Sequence, residues 1–155
     1  RIIAVDPMPE KRELALKLGA TDAIDAGPDA AREIVEMTKG GVHHAIEAVG
    51  RPASGDLAVA SLRRGGTATI LGMMPLNHKV GLSAMDLLSD KKLQGAIMGG
   101  NHFPVDLPRL VDFYMRGLLD LDTIIAERIP LEGINEGFEK MKQGNSARSV
   151  IVFGQ

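Results

Sequence analysis

Short apolar runs alternate along the chain with stretches of helical periodicity. Residues 2–5 form an uninterrupted β-branched run, which is typical of a buried parallel strand. Residues 9–18 predict a helix, because Pro9 suits a first helical position and Gly19 follows as a stop signal. The same reasoning predicts further strands at residues 21–24, 43–49, 67–72, 93–99, 124–130 and 148–153, and helices at 29–38, 52–64, 84–90, 104–117 and 131–144.

The order of these elements predicts the fold class. Five strands separated by helices or crossovers in residues 1–99 indicate an α/β fold with a doubly wound parallel sheet. After Gly99 and Gly100 the pattern changes to a long helix, followed by a strand, a helix and a final strand. We therefore predict a sheet domain at residues 1–99 and a C-terminal segment at residues 100–155.

Composition narrows the classes of function. The formal net charge is −2 and the basic residues are scattered, so nothing predicts binding to nucleic acid or to an anionic membrane. The chain has no Cys, which excludes disulfides, thiolate nucleophiles and Cys-based zinc sites within it. No apolar stretch reaches the roughly 18–20 residues of a membrane span, and the first residues do not resemble a signal peptide. We therefore expect a cytoplasmic protein.

Candidate ligand contacts lie where predicted strands end. Asp6 follows the first strand, and an acid in that place can accept hydrogen bonds from a ribose diol and repel the extra phosphate of NADP. The alternative interpretation is a turn-forming or capping residue before Pro7. Gly50, Gly72 and Gly99 come at the ends of three successive strands, and in an open α/β sheet that edge is where ligands bind.

Other polar residues leave two interpretations open. Arg148 begins the last predicted strand, where its guanidinium either pairs with a phosphate or lies on the surface. Glu47 lies mid-strand among apolar residues, and it is either a buried, hydrogen-bonded side chain or part of a pocket. The adjacent His43 and His44 point to opposite faces of a strand, so they do not predict a metal site. No hydrolase, metalloprotease or Walker-type phosphate motif is present in the sequence.

Several segments, taken in order, resemble a known family. They are IIAVD followed by LGATDAID, then HHAIEAVGR, ILGMMP, LQGAIMGG and the closing PLEGINEGFEKMKQGNSARSVIVF. This ordered set is similar to the C-terminal half of zinc-containing alcohol dehydrogenases, which belong to the medium-chain dehydrogenase/reductase superfamily. The resemblance covers essentially the whole chain, and it implies a Rossmann-type sheet that binds a nicotinamide dinucleotide.

The resemblance also implies which residues contact the cofactor. Asp6 would bind the adenosine ribose and favour NAD over NADP, and Lys11 would lie near the same ribose. Residues 48–51 would line the adenosine and nicotinamide-ribose side, residues 71–73 would lie over the nicotinamide ribose and carboxamide, and Arg148 would contact the pyrophosphate. The implied cofactor-binding residues are Asp6, Lys11, Ala48, Val49, Gly50, Arg51, Leu71, Gly72, Met73, Ala96, Met98 and Arg148.

In this family, hydride passes between a small alcohol or aldehyde and the nicotinamide. The zinc ligands, the first strand of the sheet and its glycine-rich loop belong to sequence upstream of the region resembled here. We therefore expect zinc only in the intact enzyme, no catalytic or metal-binding residue in this chain, and no activity from the chain alone. The first strand is the central one of this fold, so we also expect the native sheet to need that upstream segment.

The resemblance further implies a homo-oligomer whose contact runs through residues 72–98. Two alternatives to an alcohol dehydrogenase remain open. One is a quinone or enoyl reductase of the same superfamily, although those enzymes more often use NADPH, which Asp6 disfavours. The other is a non-catalytic fragment that binds a nucleotide or mediates oligomerisation.

Overall fold

The computed structural model describes residues 1–144 and 148–154. Within them, seven strands and six α-helices are formed, together with 3₁₀ turns at Ile97–Gly100 and Leu131–Gly133. The strands are β1 (Ile3–Val5), β2 (Asp22–Ile24), β3 (Val42–Glu47), β4 (Leu62–Ile70), β5 (Lys92–Gly95), β6 (Glu127–Ile129) and β7 (Ser149–Ile151). The helices are α1 (Pro9–Lys17), α2 (Ala30–Met37), α3 (Pro52–Ala60), α4 (Ala84–Leu88), α5 (Phe103–Met115) and α6 (Ile134–Lys142).

The contacts divide the chain into two compact units. The first, here called the terminal unit, contains residues 1–25 and the chain from residue 102 onward. The second, the central unit, is Ala26–Asn101. These units are defined by contacts alone. The predicted boundary between a sheet domain (residues 1–99) and a C-terminal segment (residues 100–155) therefore stays a prediction.

The central unit is built on a parallel sheet. Its three strands lie in the order β3-β4-β5. Glu47 of β3 lies beside Ile70 of β4, and Ile70 lies beside Gly95 of β5. Because both pairings are parallel, the carboxyl ends of the three strands reach the same edge of the sheet. Whatever binds at that edge therefore meets the loops after β3, β4 and β5 together.

Helix α3 supplies the core beneath this edge. Pro52 opens the helix at a position where its missing amide costs no helical hydrogen bond. Ala58 and Val59 of the helix pack with Leu62 and Ala68 of β4, and Ala68 is fully buried. The two small alanines allow the helix to lie close to the sheet, so the loop between β3 and α3 is fixed at both ends.

The terminal unit contains two separate parallel strand pairs. In the first, β1 pairs with β2 and α1 forms the connection between them. In the second, β6 pairs with β7, and α6 lies between them in sequence. The Glu127 carboxylate of β6 accepts hydrogen bonds from Lys140 of α6 at 3.0 Å and from Ser149 of β7 at 2.8 Å. One side chain thus ties the three elements of this second pair together.

The helix predicted at residues 52–64 ends earlier than expected. Helix α3 stops at Ala60, and residues 62–64 belong to β4 instead. Leu62 continues the apolar face of the helix in the sequence pattern, but in the structure it pairs with Val42 of β3. The prediction for residues 62–64 is therefore wrong, because pairing in the sheet overrides the local helical pattern.

The strand predicted at residues 93–99 also ends early. It stops at Gly95, and Ile97–Gly100 form a 3₁₀ turn. Met98, Gly99 and Gly100 have φ values of 50°, 73° and 70°, which no strand can contain. The two glycines favour this left-handed backbone, so the chain turns away before the predicted end of the strand.

The predicted fold class is confirmed. The described residues form an α/β structure in which every strand pairing is parallel. The strands make three hydrogen-bonded groups, namely β1-β2, β3-β4-β5 and β6-β7. None of the helices in the described part of the chain is long and apolar enough to cross a lipid bilayer.

Candidate functional site

In the central unit, the loops after β3 and β4 meet backbone to backbone. A Cβ atom added to Gly72 would lie 2.1 Å from the nitrogen of Gly50 and 2.6 Å from its Cα. A Cβ atom added to Gly50 would lie 2.6 Å from the carbonyl oxygen of Met73. Neither position accepts a side chain unless backbone atoms move. We call residues 47–51 and 71–73 the strand-end cluster.

The two glycines are required for different reasons. Gly50 has a φ of 81°, in the left-handed region that other residues enter only with strain. Gly72 does not have a positive φ. It must be glycine because the backbone of Gly50 leaves no room for a side chain. The two glycines therefore allow the two loops to lie closer together than any residues with side chains would permit.

The buried carboxylate of Glu47 holds the first of these loops. Its side chain is 3% exposed. The Oε1 atom accepts hydrogen bonds from the amides of Val49 at 2.8 Å and Gly50 at 2.7 Å, and from the Ser54 hydroxyl at 2.7 Å. Of the two interpretations that the sequence left open for Glu47, the structure therefore shows the buried, hydrogen-bonded one.

The same hydrogen bonds keep this carboxylate ionised. Burial by itself raises the pKa of Glu47, since a charged group loses solvation. The Ser54 hydroxyl and the amides of Gly50 and Val49, with the nearby Gly72 amide, act in the opposite direction, and together they lower the pKa below its ordinary value. Glu47 is therefore a negative charge inside the protein at neutral pH, compensated by backbone and hydroxyl dipoles.

Five backbone amides of the strand-end cluster donate hydrogen bonds within the central unit. Those of residues 49–51 donate to the Glu47 carboxylate and to the Ser54 hydroxyl. Those of Leu71 and Gly72 donate to the Glu47 carbonyl oxygen at 2.8 Å and 3.1 Å. The amides of residues 49–51, 71 and 72 are thus unavailable to a ligand.

What the cluster offers a ligand is acceptors and apolar surface. Within the described part of the chain, the carbonyl oxygens of Val49 and Gly72 accept no hydrogen bond. The side chains of Val49, Leu71 and Met73 are exposed, Met73 to 93%. Such an edge suits a ligand that carries hydroxyl or amide donors on a flat, uncharged body.

In the terminal unit, Asp6 lies in the tight turn that follows β1. Its Oδ1 atom accepts a hydrogen bond from the Met8 amide at 2.8 Å, which is an Asx-type turn. Its own amide donates to the Ile24 carbonyl of the neighbouring strand β2 at 3.3 Å. Asp6 thus has the turn-forming role that the sequence left open, and its Oδ2 atom accepts no hydrogen bond within the described residues.

Arg12 fixes this turn from the adjacent helix α1. Its Nη1 atom lies 2.7 Å from the Asp6 carbonyl oxygen, 2.9 Å from that of Pro7 and 3.0 Å from the Asp25 carboxylate. Since these three partners come from the end of β1, the turn and the end of β2, Arg12 sets the direction in which Asp6 leaves the strand. Its contribution was missed in the sequence, where only the neighbouring Lys11 was singled out.

The predicted cofactor-binding residues fall in both units, and we describe each unit separately. Asp6, Lys11 and Arg148 belong to the terminal unit. Arg148 is exposed and its carbonyl oxygen accepts a hydrogen bond from Ala126 at 2.9 Å, at the start of β7. The central unit contains Ala48, Val49, Gly50, Arg51, Leu71, Gly72, Met73, Ala96 and Met98. The structure brings residues 48–51 and 71–73 together as the strand-end cluster.

Ala96 and Met98 lie just beyond β5, the third strand of the same sheet. The Ala96 amide donates to the Ile70 carbonyl oxygen at 3.0 Å, which extends the sheet by one residue. Met98 has a φ of 50° and its carbonyl oxygen accepts a hydrogen bond from the Asn101 side chain. These residues therefore follow β5 in the same parallel sheet whose first two strands end in the cluster.

Comparison with known proteins gives the chain a family context. A family model described as zinc-binding dehydrogenase matches residues 1–115. Alcohol dehydrogenase-like 5 of Arabidopsis thaliana is 38% identical over 156 residues, covering 97% of this chain and 40% of that protein. Geraniol dehydrogenase of Carpoglyphus lactis is 35% identical, covering 98% of this chain and 41% of that protein.

Solved structures give the same result. The crystal structure of benzyl alcohol dehydrogenase from Acinetobacter calcoaceticus matches with a TM-score of 0.90 and 30% identity. That match covers 97% of this chain and 42% of the other. The chain therefore spans about 40% of the length of the curated relatives that it matches.

Proposed function

Because the chain belongs to the zinc-binding dehydrogenase family, as its sequence predicts, we propose that it is the cofactor-binding portion of an NAD-dependent alcohol dehydrogenase. The observation that carries this proposal is the strand-end cluster. Its two glycines meet at the carboxyl edge of a parallel sheet, and it presents carbonyl acceptors beside exposed apolar side chains. Ribose hydroxyls and a carboxamide are the donors that such an edge would receive.

Each predicted contact has a chemical role in this proposal. Asp6 accepts hydrogen bonds from the adenosine ribose diol and repels the extra phosphate of NADP, with Lys11 near the same ribose. Arg148 pairs with the pyrophosphate, since a guanidinium matches that geometry. Residues 48–51 and 71–73 hold the nicotinamide side, and Ala96 and Met98 contact the carboxamide through their backbone.

The chain's own residues do not fit a zinc site. The sequence has no Cys, and within the described residues no group of three or more His, Asp or Glu side chains could hold a metal ion. In the intact enzyme, zinc would supply a Lewis acid that polarises the alcohol or aldehyde oxygen. We assign no catalytic residue to this chain, whose part in the reaction is to bind and orient the cofactor.

Cofactor binding by the purified protein tests the proposal. We expect NADH to bind, with an increase of nicotinamide fluorescence, and to bind at least about tenfold more tightly than NADPH, because Asp6 accepts from the free diol. We expect no reduction of NAD when alcohols are added. A preference for NADPH would favour the quinone or enoyl reductase alternative. Absence of NADH binding together with dimerisation would favour a fragment that only mediates oligomerisation.

We also propose that the chain forms a homo-oligomer through residues 72–98. β5 lies at the edge of the β3-β4-β5 sheet, and unpaired edges favour pairing with another strand. In the segments that flank β5 in sequence, Met85, Leu88 and Ile97 expose large apolar side chains, Ile97 to 90%. Exposed apolar side chains that form a patch are typical of protein interfaces.

Sedimentation velocity over a range of protein concentrations tests the oligomer. We expect a dimer, and we expect Ile97→Lys to yield monomers, because a charge on the exposed edge prevents apolar contact. Met141→Lys serves as the control, since Met141 is exposed on α6 in the terminal unit. A monomer at every concentration, or equal loss of dimer in both variants, would contradict the proposed interface.

A further inference from the structure

Among the described residues, Glu47 is the only ionisable side chain that is buried. It lies at the last position of β3, directly before the loop that meets Gly72. Its carboxylate holds residues 49, 50 and 54, and its carbonyl oxygen holds residues 71 and 72. One residue therefore fixes both loops of the strand-end cluster.

Packing alone does not account for a carboxylate in this position. An apolar side chain would fill the same volume without the loss of solvation that a buried charge suffers. It would, however, leave the amides of Val49 and Gly50 without a partner, or allow them to turn toward the ligand side. The carboxylate collects these donors on the inner side of the loop, so the loop presents acceptors instead.

The second carboxylate oxygen ties Glu47 to Gly72. Oε2 is buried and has no hydrogen-bond partner among the described residues. It lies 2.5 Å from the position that a Cβ atom on Gly72 would occupy, so it fills the space that this glycine leaves. A glutamine at position 47 would have to place its amide group there, because the Oε1 side already faces three donors.

We propose that Glu47 is a positioning residue for the cofactor, which holds residues 49–51 and 71–73 in the arrangement that leaves the Val49 and Gly72 carbonyl oxygens available to the nicotinamide ribose and carboxamide. This inference rests on the proposed function. Glu47 does not touch the cofactor, and it acts through the backbone of the two loops. It follows that a change at Glu47 affects the nicotinamide half of the cofactor more than the adenosine half.

The test compares two ligands in three forms of the protein. NADH is titrated by its fluorescence and AMP by calorimetry, because AMP carries the ribose assigned to Asp6 and lacks the nicotinamide. For Glu47→Gln we expect NADH affinity to fall about tenfold or more, as for the loss of hydrogen bonds to a charged group, and AMP affinity to change less than about twofold. Glu33→Gln makes the same charge change at an exposed position of helix α2 and should alter neither affinity.

Hydrogen exchange supplies a second readout, and Ser54→Ala a second variant. In Glu47→Gln the amides of residues 49 and 50 should exchange faster, while β4 keeps its protection. If Glu47→Gln does not fold, Ser54→Ala tests the inference instead. It removes one of the three donors to the Glu47 carboxylate and should weaken NADH binding but not AMP binding. Equal loss of NADH and AMP binding, or no loss, would overturn the inference. Failure of the unaltered protein to bind NADH would overturn the proposed function and this inference with it.

Discussion

Alanine in place of Gly72 should lower the free energy of unfolding by about 3 kcal/mol, at the upper end of the usual cost of overpacking. The added methyl group would lie 2.1 Å from the Gly50 nitrogen and 2.5 Å from Glu47 Oε2. The first of these neighbours is backbone, which cannot rotate out of the way. Relief therefore requires the two loops to separate, and NADH binding should be lost with the strand-end cluster.

Thermal unfolding followed by circular dichroism measures this effect. For a chain of this size, 3 kcal/mol corresponds to a fall in Tm of about 6–12 °C. Gly95→Ala is the matched control, because Gly95 also lies at a strand end but has an ordinary φ and no atom within 4 Å of an added Cβ. We expect that variant to be neutral or slightly stabilised. Equal Tm values for the two variants would show that the loops adapt to the methyl group.

Much of the fold could be predicted because local signals and tertiary structure agree. Helix α1 begins at Pro9 and ends at Lys17, before Gly19, close to the bounds that these punctuating residues predict. The alternation of apolar runs with helices predicts parallel pairing, and all observed pairs are parallel. Where one residue type sets the backbone conformation, the sequence alone is enough.

Where two interpretations of one segment compete, the sequence is not enough. Leu62 suits both the apolar face of α3 and a buried strand, and only its pairing with Val42 decides. At residues 97–100 the apolar Ile97 and Met98 suggest a strand, but the glycines that follow impose a left-handed turn. Both errors concern segment ends. At Leu62 a pairing distant in sequence outweighs the local helical pattern, whereas after Gly95 the local glycines end the strand before the apolar run ends.

The candidate site also has features that the sequence predicts and features that it does not. Gly50 and Gly72 could be singled out because glycine after a strand is a recognisable signal. That they touch each other, and that Glu47 lies beneath them, could not be predicted, since the contact joins loops from different strands. Arg12 was missed because two of its three partners are backbone carbonyls, which no side-chain pattern reveals, and the third, Asp25, is 13 residues away in sequence.

Under the proposed function, serine in place of Asp6 should reverse the preference for NADH over NADPH. The Asp6 carboxylate would otherwise bind the ribose diol of NADH and repel the extra phosphate of NADPH. Serine keeps an oxygen that can accept the hydrogen bond from the Met8 amide, so the turn after β1 should survive. We expect NADH affinity to fall about 10- to 150-fold, as for loss of a hydrogen bond worth about 1.5–3 kcal/mol to a charged group, and NADPH affinity to rise.

Fluorescence titration of NADH and NADPH against the unaltered and variant proteins measures the ratio of the two dissociation constants. Asp56→Ser is the control, since Asp56 is exposed on α3 in the central unit and the variant carries the same change in charge. We expect that control to leave the ratio unchanged. If Asp6→Ser binds both cofactors as the unaltered protein does, then Asp6 is a turn residue alone and does not discriminate between the two cofactors.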